Sequence, residues 1–342
     1  MVGISTTTSA SPRITPWRAL TWLAAFLVIY PTGQWLLTAG IINGYLYLIL
    51  VQICIFIIAA VSLNLINGIT GQFSLGHAGF MTVGGYMAAV ATTFWGLPFP
   101  VALLFGALCA GVLGFLVGMP TLRLKGDYLA IATLGMGEII RVVFENIEPL
   151  GGASGFTAIP RPSPLLHIGS KHYGMWGWSL LCTVLVLFVI RQFIDSSHGR
   201  ACVAVREDEL AAETMGINTT YFKVLAFTIG AMCAGVAGGL LAHDISTIAP
   251  DSAGFLNSVA ILVIVVLGGL GSLTGSAVAA ALLTIVNALT SSFTNWRMII
   301  YALLLIVLMI FLPQGVWQGG ALLWRRLRWP WARPVGGATD AP

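Results

Sequence analysis

Three groups of residues in this chain carry side chains able to do chemistry, and each implies a different kind. Asp127, Glu138 and Arg141 stand in KGDYLAIATLGMGEIIRVVF, with Thr133 between them. Glu138 and Arg141 are three apart, so on a helix they share a face and can pair. The stretch is otherwise apolar, and a lone charge at a bilayer centre costs about 2.5 to 3.5 kcal/mol, which makes such residues functional candidates by default. A structural ion pair between helices, or an Arg141 that reaches the outer face, explains the same residues. Ser154, between Gly152 and Gly155, and His243 offer a nucleophile and a base, the elements of an intramembrane serine protease. Ser154 falls in GGASGF ahead of Pro160, in an outer loop rather than at the start of a buried helix, so a chance string in a glycine-rich chain is the plainer reading. His77 has no second His or carboxylate at i,i+4; it is expected to be a hydrogen-bonded packing residue, and no metal site is expected.

No Gly-Lys dipeptide occurs, hence no Walker A phosphate loop. The chain is therefore expected to be no enzyme, to have no ATPase site of its own and to bind no cofactor. Its energy must come from a partner or a gradient. An ion-coupled secondary transporter would need its own charge relay, and only Asp127, Glu138 and Arg141 are on offer.

Two glycine-rich strings interrupt apolar runs. Gly68, Gly71, Gln72, Ser74, Gly76, His77 and Gly79 lie in LINGITGQFSLGHAGFMTVGGY, and Gly268, Gly269, Gly271, Ser272 and Gly275 lie in LVIVVLGGLGSLTGSAVAA. Each is either a cytoplasmic turn or one of a pair of discontinuous helices whose ends and free backbone groups line a path. A third stretch, RQFIDSSHGRACVAVREDELAAETMGINTTYFK from Arg191 to Lys223, is polar and includes Arg200 and Arg206. Asp195, Glu207, Asp208, Glu209 and Glu213 give it five of the 12 acidic residues. Asp208 can cap a short helix, Gly216 can stop it, and Asn218 or Thr219 can cap the next. Such a helix, with an acidic side and a small apolar side of Leu210, Ala211 and Met215, suits docking into a groove on another protein; a solvated connecting loop is the alternative.

The scaffold that must position these groups follows from composition. Of 342 residues 58% are hydrophobic and 8% charged, with a mean hydropathy of +0.93. A soluble domain carries about a quarter charged residues. The 40 Gly suit membrane helices that pack backbone to backbone. The net charge of +4 is no nucleic-acid signal in such a chain. Cys54, Cys109, Cys182, Cys202 and Cys233 lack CxxC spacing and read as small hydrophobes. The N-terminal residues lack the marks of a removed signal peptide.

A span needs about 20 apolar residues. Candidates lie at 18–38, 44–66, 73–95, 99–120, 126–146, 175–192, 223–243, 257–270, 275–293 and 298–312. The expected fold is all-α: a polytopic membrane helical bundle of about ten spans with discontinuous Gly-rich segments. It divides into a cytoplasmic segment 1–17, a transmembrane domain 18–320 with an outer loop 147–174 and a cytoplasmic coupling loop 193–222, and an Arg/Trp-rich tail 321–342. With the N-terminus inside, Arg13, Arg18, Arg123, Lys125, Arg191, Arg200, Arg206, Lys223, Arg325, Arg326, Arg328 and Arg333 all face the cytoplasm. That is twelve of the 16 basic residues, so both termini are expected inside. The outer loop carries Pro149, Pro160, Pro162 and Pro164, which exclude a continuous helix, and Phe156 and Ile159, which leave room for a docking surface. WRRLRWPWARP reads as an anchor on anionic lipid.

EDELAAETMGIN resembles the cytoplasmic loop of permease subunits of ATP-binding-cassette importers, in which two alanines precede a glycine; here these are Ala211, Ala212 and Gly216, with Leu210 between Glu209 and the alanines. LNLINGITGQFSLGHAGFMTVGGY (63–86), TLRLKGDYLAIATLGMGEIIR (121–141), GGASGF (151–156), GRACVAVREDELAAETMGIN (199–218), AFTIGAMCAGVAGGLLA (226–242) and VLGGLGSLTGSAVAA (266–280) are similar, in order, to the branched-chain amino-acid permeases of that superfamily, LivM-type subunits above all. The resemblance implies a bacterial inner-membrane permease for Leu, Ile and Val. It also implies a LivH-type sister permease, two cytoplasmic ATPases that use the ATP, and an extracytoplasmic binding protein. A urea or short-chain amide permease is the nearest alternative.

Overall fold

The computed structural model of the chain describes residues 30–34, 43–124, 126–163 and 174–290. Helix α1, Gly44–Asn64, runs on into a π-helical turn, Leu65–Ile69. After an irregular stretch, residues 70–76, come α2 (His77–Thr93), α3 (Phe99–Thr121) and α4 (Asp127–Glu145). Two single 3-10 turns, Glu148–Leu150 and Gly152–Ser154, lead to strand β1, Phe156–Thr157. Then follow α5 (Gly174–Asp195), α6 (Ser197–Glu207), α7 (Glu209–Thr214) and α8 (Thr219–Ile245). Strand β2, Thr247–Ile248, pairs antiparallel with β1, and a 3-10 turn at Pro250–Ala253 precedes α9 (Phe255–Gly268) and α10 (Leu273–Thr290).

Helix α3 shows why these residues form these elements. It buries Ala102, Gly106, Ala107, Ala110, Gly111, Gly114 and Gly118, while Val101, Leu104, Leu108, Val112, Leu116 and Met119 face outward. Small side chains inside and large apolar ones outside reverse the soluble pattern; they suit helices that pack by close backbone approach with lipid as solvent. The centre of the bundle is α2, α3 and α8. A Cβ on Gly84 would collide with the backbone of Gly235, and one on Gly106 with the carbonyl of Gly84. Around this core α1 packs on α8, α5, α9 and α10.

Five helices among the described residues are long and apolar enough to cross a membrane: Gly44–Ile69, Phe99–Thr121, Gly174–Asp195, Thr219–Ile245 and Leu273–Thr290. Helix α9 is apolar but has 14 residues, about 21 Å at 1.5 Å per residue, short of a hydrocarbon core of about 30 Å. The candidate span at 298–312, most of the one at 18–38, the segment 1–17 and the tail 321–342 lie outside the described residues.

Three local expectations change, and one feature is added. The third helix begins at His77 rather than near 73, because residues 70–76 are not helical. The segment 193–222 is not a loop with one short helix: Ser196 caps a further one, its Oγ accepting from Gly199 N at 3.3 Å, which makes α6. The helical fold, as expected in class, carries one small addition among the described residues, a two-residue ladder of β1 and β2. Phe156 and Ile159 offer no docking surface: 8% and 3% exposed, they pack inward, with Phe156 paired to Ile248 and set against the Phe94 ring.

Candidate functional site

The two glycine-rich strings, far apart in sequence, meet. At the first, the π-helical turn ends with Thr70 N bonded to Leu65 O and Gln72 N to Ile66 O, and Asn67 holds the irregular segment that follows, its Oδ1 accepting from Ser74 N at 3.2 Å. At the second, α9 stops at Gly268; Gly269 and Gly271 take φ of 92° and 86°, a left-handed backbone open to glycine, and α10 begins at Leu273. Asn64 joins them. Its Nδ2 donates to Ser272 O and to Ser276 Oγ, both at 2.9 Å, and its Oδ1 accepts from Gly271 N at 2.8 Å. The fit leaves no room for a side chain on Gly68, where a Cβ would strike Asn64 Oδ1 and Gly271 N. Gly268 packs as closely on Ser276.

The polar segment reaches this junction through one side chain. Arg206, at the end of α6, donates from Nη1 to Gly68 O at 2.7 Å. A Cβ on Gly271 would come within 3.1 Å of the same Nη1, and one on Gly71 within 2.6 Å of Arg206 Cγ. Glu207 fixes the other edge of the guanidinium, accepting from Nη2 at 2.8 Å and Nε at 3.2 Å. One planar fork thus touches both breaks while its far side is held.

From Arg206 the chain turns directly into α7. Asp208 caps it, Oδ1 accepting from Ala211 N at 3.1 Å, and Gly216 leaves it with φ 84°. Asn218 caps α8, accepting from Tyr221 N at 3.0 Å. The acidic side is tied down within the chain: Glu209 pairs with Lys223 at 2.6 Å, and Glu213 accepts from Thr219 Oγ1 at 2.8 Å. Ala212 is buried, whereas Ala211 is exposed, Leu210 is 68% exposed and Met215 83%. Arg200 lies on the outer side of α6, donating to Asp195 O. Between this segment and the first break is a cavity of about 250 Å³ lined by Gln72, Arg206, Asp208, Glu209 and Lys223 among others. Burial of Cys202 on α6 pushes its thiol up to about 11.

Above the junction the first break is rich in unanswered polar atoms. Both amide ends of Gln72, Ser74 Oγ and His77 Nδ1 are buried without a partner. Each such group costs about 1 to 3 kcal/mol when nothing bonds it. Ser62 Oγ donates to Ala59 O at 2.9 Å and lies 2.9 Å from His77 Nε2. Thr133 supports the break from α4, its Oγ1 accepting from Leu75 N at 3.0 Å, and its carbonyl leaves no room for a Cβ on Gly76. Gly79 faces Gly137 and Ile140 of α4, at 3.2 and 3.0 Å from a Cβ built on it.

The charges of α4 divide between its ends. Asp127 opens the helix and is exposed. Fourteen residues on, about 21 Å along the axis, Arg141 pairs with Glu138 at 2.9 Å, Glu145 at 3.3 Å and Asp251 at 3.1 Å. Glu138 also accepts from Phe255 N at 3.2 Å, bonding the first turn of α9. This cluster ties α4 to the loop before the second broken helix, and Asp127 takes no part in it. Ser154 and His243 are not a pair: Ser154 is exposed in its 3-10 turn, and both nitrogens of the buried His243 are engaged, Nδ1 with Gly239 O at 2.7 Å and Nε2 with Thr92 Oγ1 at 3.1 Å.

Asn64, Asn67, Ser62, Ser258 and Asp251 escaped the sequence reading. Amides and hydroxyls inside an apolar span were the available signal, since polar groups there must find a partner.

Residues 45–312 match the family described as the permease component of branched-chain amino acid transport systems. The chain is similar to the high-affinity branched-chain amino acid transport system permease protein LivM of Salmonella typhimurium and to that of Escherichia coli, 36% identical to each over 319 residues, covering 86% of this chain and 74% of the relative. It is also similar to the LivH permease of Escherichia coli, 36% identical over 139 residues, which cover 40% of this chain and 45% of that one.

Proposed function

This chain belongs to the family of permease components of branched-chain amino acid transport systems, and from that premise we propose that it is a membrane subunit of an ATP-driven importer of leucine, isoleucine and valine. It forms the translocation path with a homologous sister permease, is driven by two cytoplasmic ATPases and is supplied by an extracytoplasmic binding protein. It crosses the inner membrane about ten times with both termini in the cytoplasm, the arrangement that keeps Arg191, Arg200, Arg206 and Lys223 inside. The chemistry is mechanical: binding and hydrolysis of ATP belong to the partners.

The observation that carries this reading is the seat of Arg206 on both glycine-rich breaks. Helix α7 presents Leu210 and Met215 to a cleft of an ATPase. Closure of that cleft moves α7, and the cap at Asp208 passes the motion to the end of α6, where Arg206 carries it to Gly68, Gly71 and Gly271. Those positions hold no side chain, so the breaks can part with little to displace. Parting them wets Gln72, Ser74 and His77, whose unbonded atoms favour the opened state and offer a zwitterion weak, transient partners.

The test is reconstitution of the chain with its sister permease, ATPases and binding protein in liposomes. Leucine uptake should require ATP hydrolysis and survive collapse of the proton gradient. Uptake that continues without ATP and stops with the gradient would overturn the reading in favour of secondary transport.

A further inference from the structure

Next to the first break, between α1, α2, α8 and α9, lies a half-open cavity of about 160 Å³. Protein interiors hold few voids larger than a water molecule, so an empty space of this size is a feature to be explained. It is lined by the apolar side chains of Phe56, Met81, Leu241, Ile248 and Ile261 and by three polar ones: Thr82, which is buried, and Ser252 and Asn257, which reach the surface and form its rim. The amide of Asn257 is held by the carbonyls of Asp251 and Ser252, at 3.1 and 3.3 Å, so the rim is fixed in place.

The position matters as much as the lining. Both interrupted helices face the cavity: α2 through Ala78, Met81 and Thr82 just after the first break, and α9 through Asn257 and Ile261 on its way into the second. They are latched to each other there, Ala78 N donating to Ser258 Oγ at 3.1 Å. Discontinuous helices flank substrate sites in many transporters, because their free ends can hold polar groups at membrane depth. Apolar cavities of about 150 Å³ stay dry and take up guests of the size of benzene. A branched alkyl group of three or four carbons is smaller than that and matches these walls, and the polar groups of an amino acid attached to it would lie at the rim, facing Ser252, Asn257 and the first turn of α9.

We propose that this cavity is a side-chain subsite on the translocation path, taking the branched aliphatic group of the passing amino acid. The proposal rests on the reading of the chain as an amino-acid permease and adds to it a residue set that sorts substrates by side-chain size. The site discriminates without gripping, since it is half open and touches mainly hydrocarbon.

The experiment compares uptake of leucine and alanine by the full reconstituted complex carrying Leu241→Trp, which fills the cavity, or Phe56→Ala, which enlarges it. Both residues are only partly buried, so the fold has room to accept the change. The binding protein is the same in every arm, so its own preference cancels when each variant's leucine-to-alanine ratio is divided by the wild-type ratio. Loss of one contact to a methyl or methylene is worth about tenfold or more in a closed pocket. Leu241→Trp should lower the ratio several-fold through loss of leucine uptake. Phe56→Ala should keep leucine uptake and add uptake of phenylalanine. Equal loss of leucine and alanine uptake in Leu241→Trp, or an unchanged ratio in both variants, would overturn the subsite while leaving the permease reading intact. A wild-type complex that takes up neither amino acid would instead overturn the permease reading and the subsite with it.

Discussion

At the scale of single residues, Arg206 and Asn64 are the side chains that bond the two glycine-rich breaks. Arg206 was legible as one of the basic residues of the polar segment, but its contacts with the breaks were not, because they are with backbone atoms of Gly68 and the bare face of Gly271. A glycine offers no side chain whose chemistry could announce the contact. Asn64 was overlooked for another reason: it is one amide in an apolar run, and only the fold shows it saturating three groups across the second break. Glu209 resembled a docking residue by its place before the alanines; its carboxylate is spent on Lys223. Cys202 gives a prediction at this scale. With its thiol raised by burial to about 11, the thiolate is negligible at pH 7.5. A maleimide should leave it unlabelled in the assembled complex and label it once the protein is unfolded; labelling of the folded complex within minutes would contradict the packing of α6 on α8.

At the scale of elements, capping chemistry made α7 readable, since Asp208, Gly216 and Asn218 stop and start helices by local rules. Helix α6 was missed because HGRACVAVRE has small and charged residues where an amphipathic stripe would be sought; its start is set by Ser196 Oγ, a single hydroxyl. The breaks are legible as glycine-rich strings, but the close approach of Gly68 to Gly271 is not, because neither has a side chain to announce it. The exposed tip of α7 carries the prediction here. Leu210→Asp leaves the permease fold untouched, because the side chain is 68% exposed. Burying a carboxylate in an apolar cleft costs several kcal/mol, so the ATPases should no longer copurify with the variant although it still pairs with its sister permease. Wild-type recovery of the ATPases would show that α7 is not the docking helix.

At the scale of the whole molecule, low charge and high hydropathy sufficed for a membrane bundle, and the ordered motifs sufficed for the family. The reversed packing of α3, small inside and large outside, is the physical form of that composition. What remained invisible was which distant segments meet, because glycine stripes allow many close approaches and the sequence does not rank them. The assembled fold ranks them: the polar segment bears on two breaks, and the two interrupted helices flank a cavity of about 160 Å³. The claim at the centre of this account is that force from the ATPases reaches both breaks through Arg206. The most direct test is the number of leucine molecules taken up per ATP hydrolysed by the reconstituted complex, wild type against Arg206→Lys. Lysine keeps the charge but loses the planar fork that holds Gly68 and Glu207 together. A charge-assisted hydrogen bond is worth about 1.5 to 3 kcal/mol, and about 1.4 kcal/mol is a factor of ten. The ratio should therefore fall about tenfold or more in a complex that assembles normally; a ratio equal to the wild-type value would contradict the account.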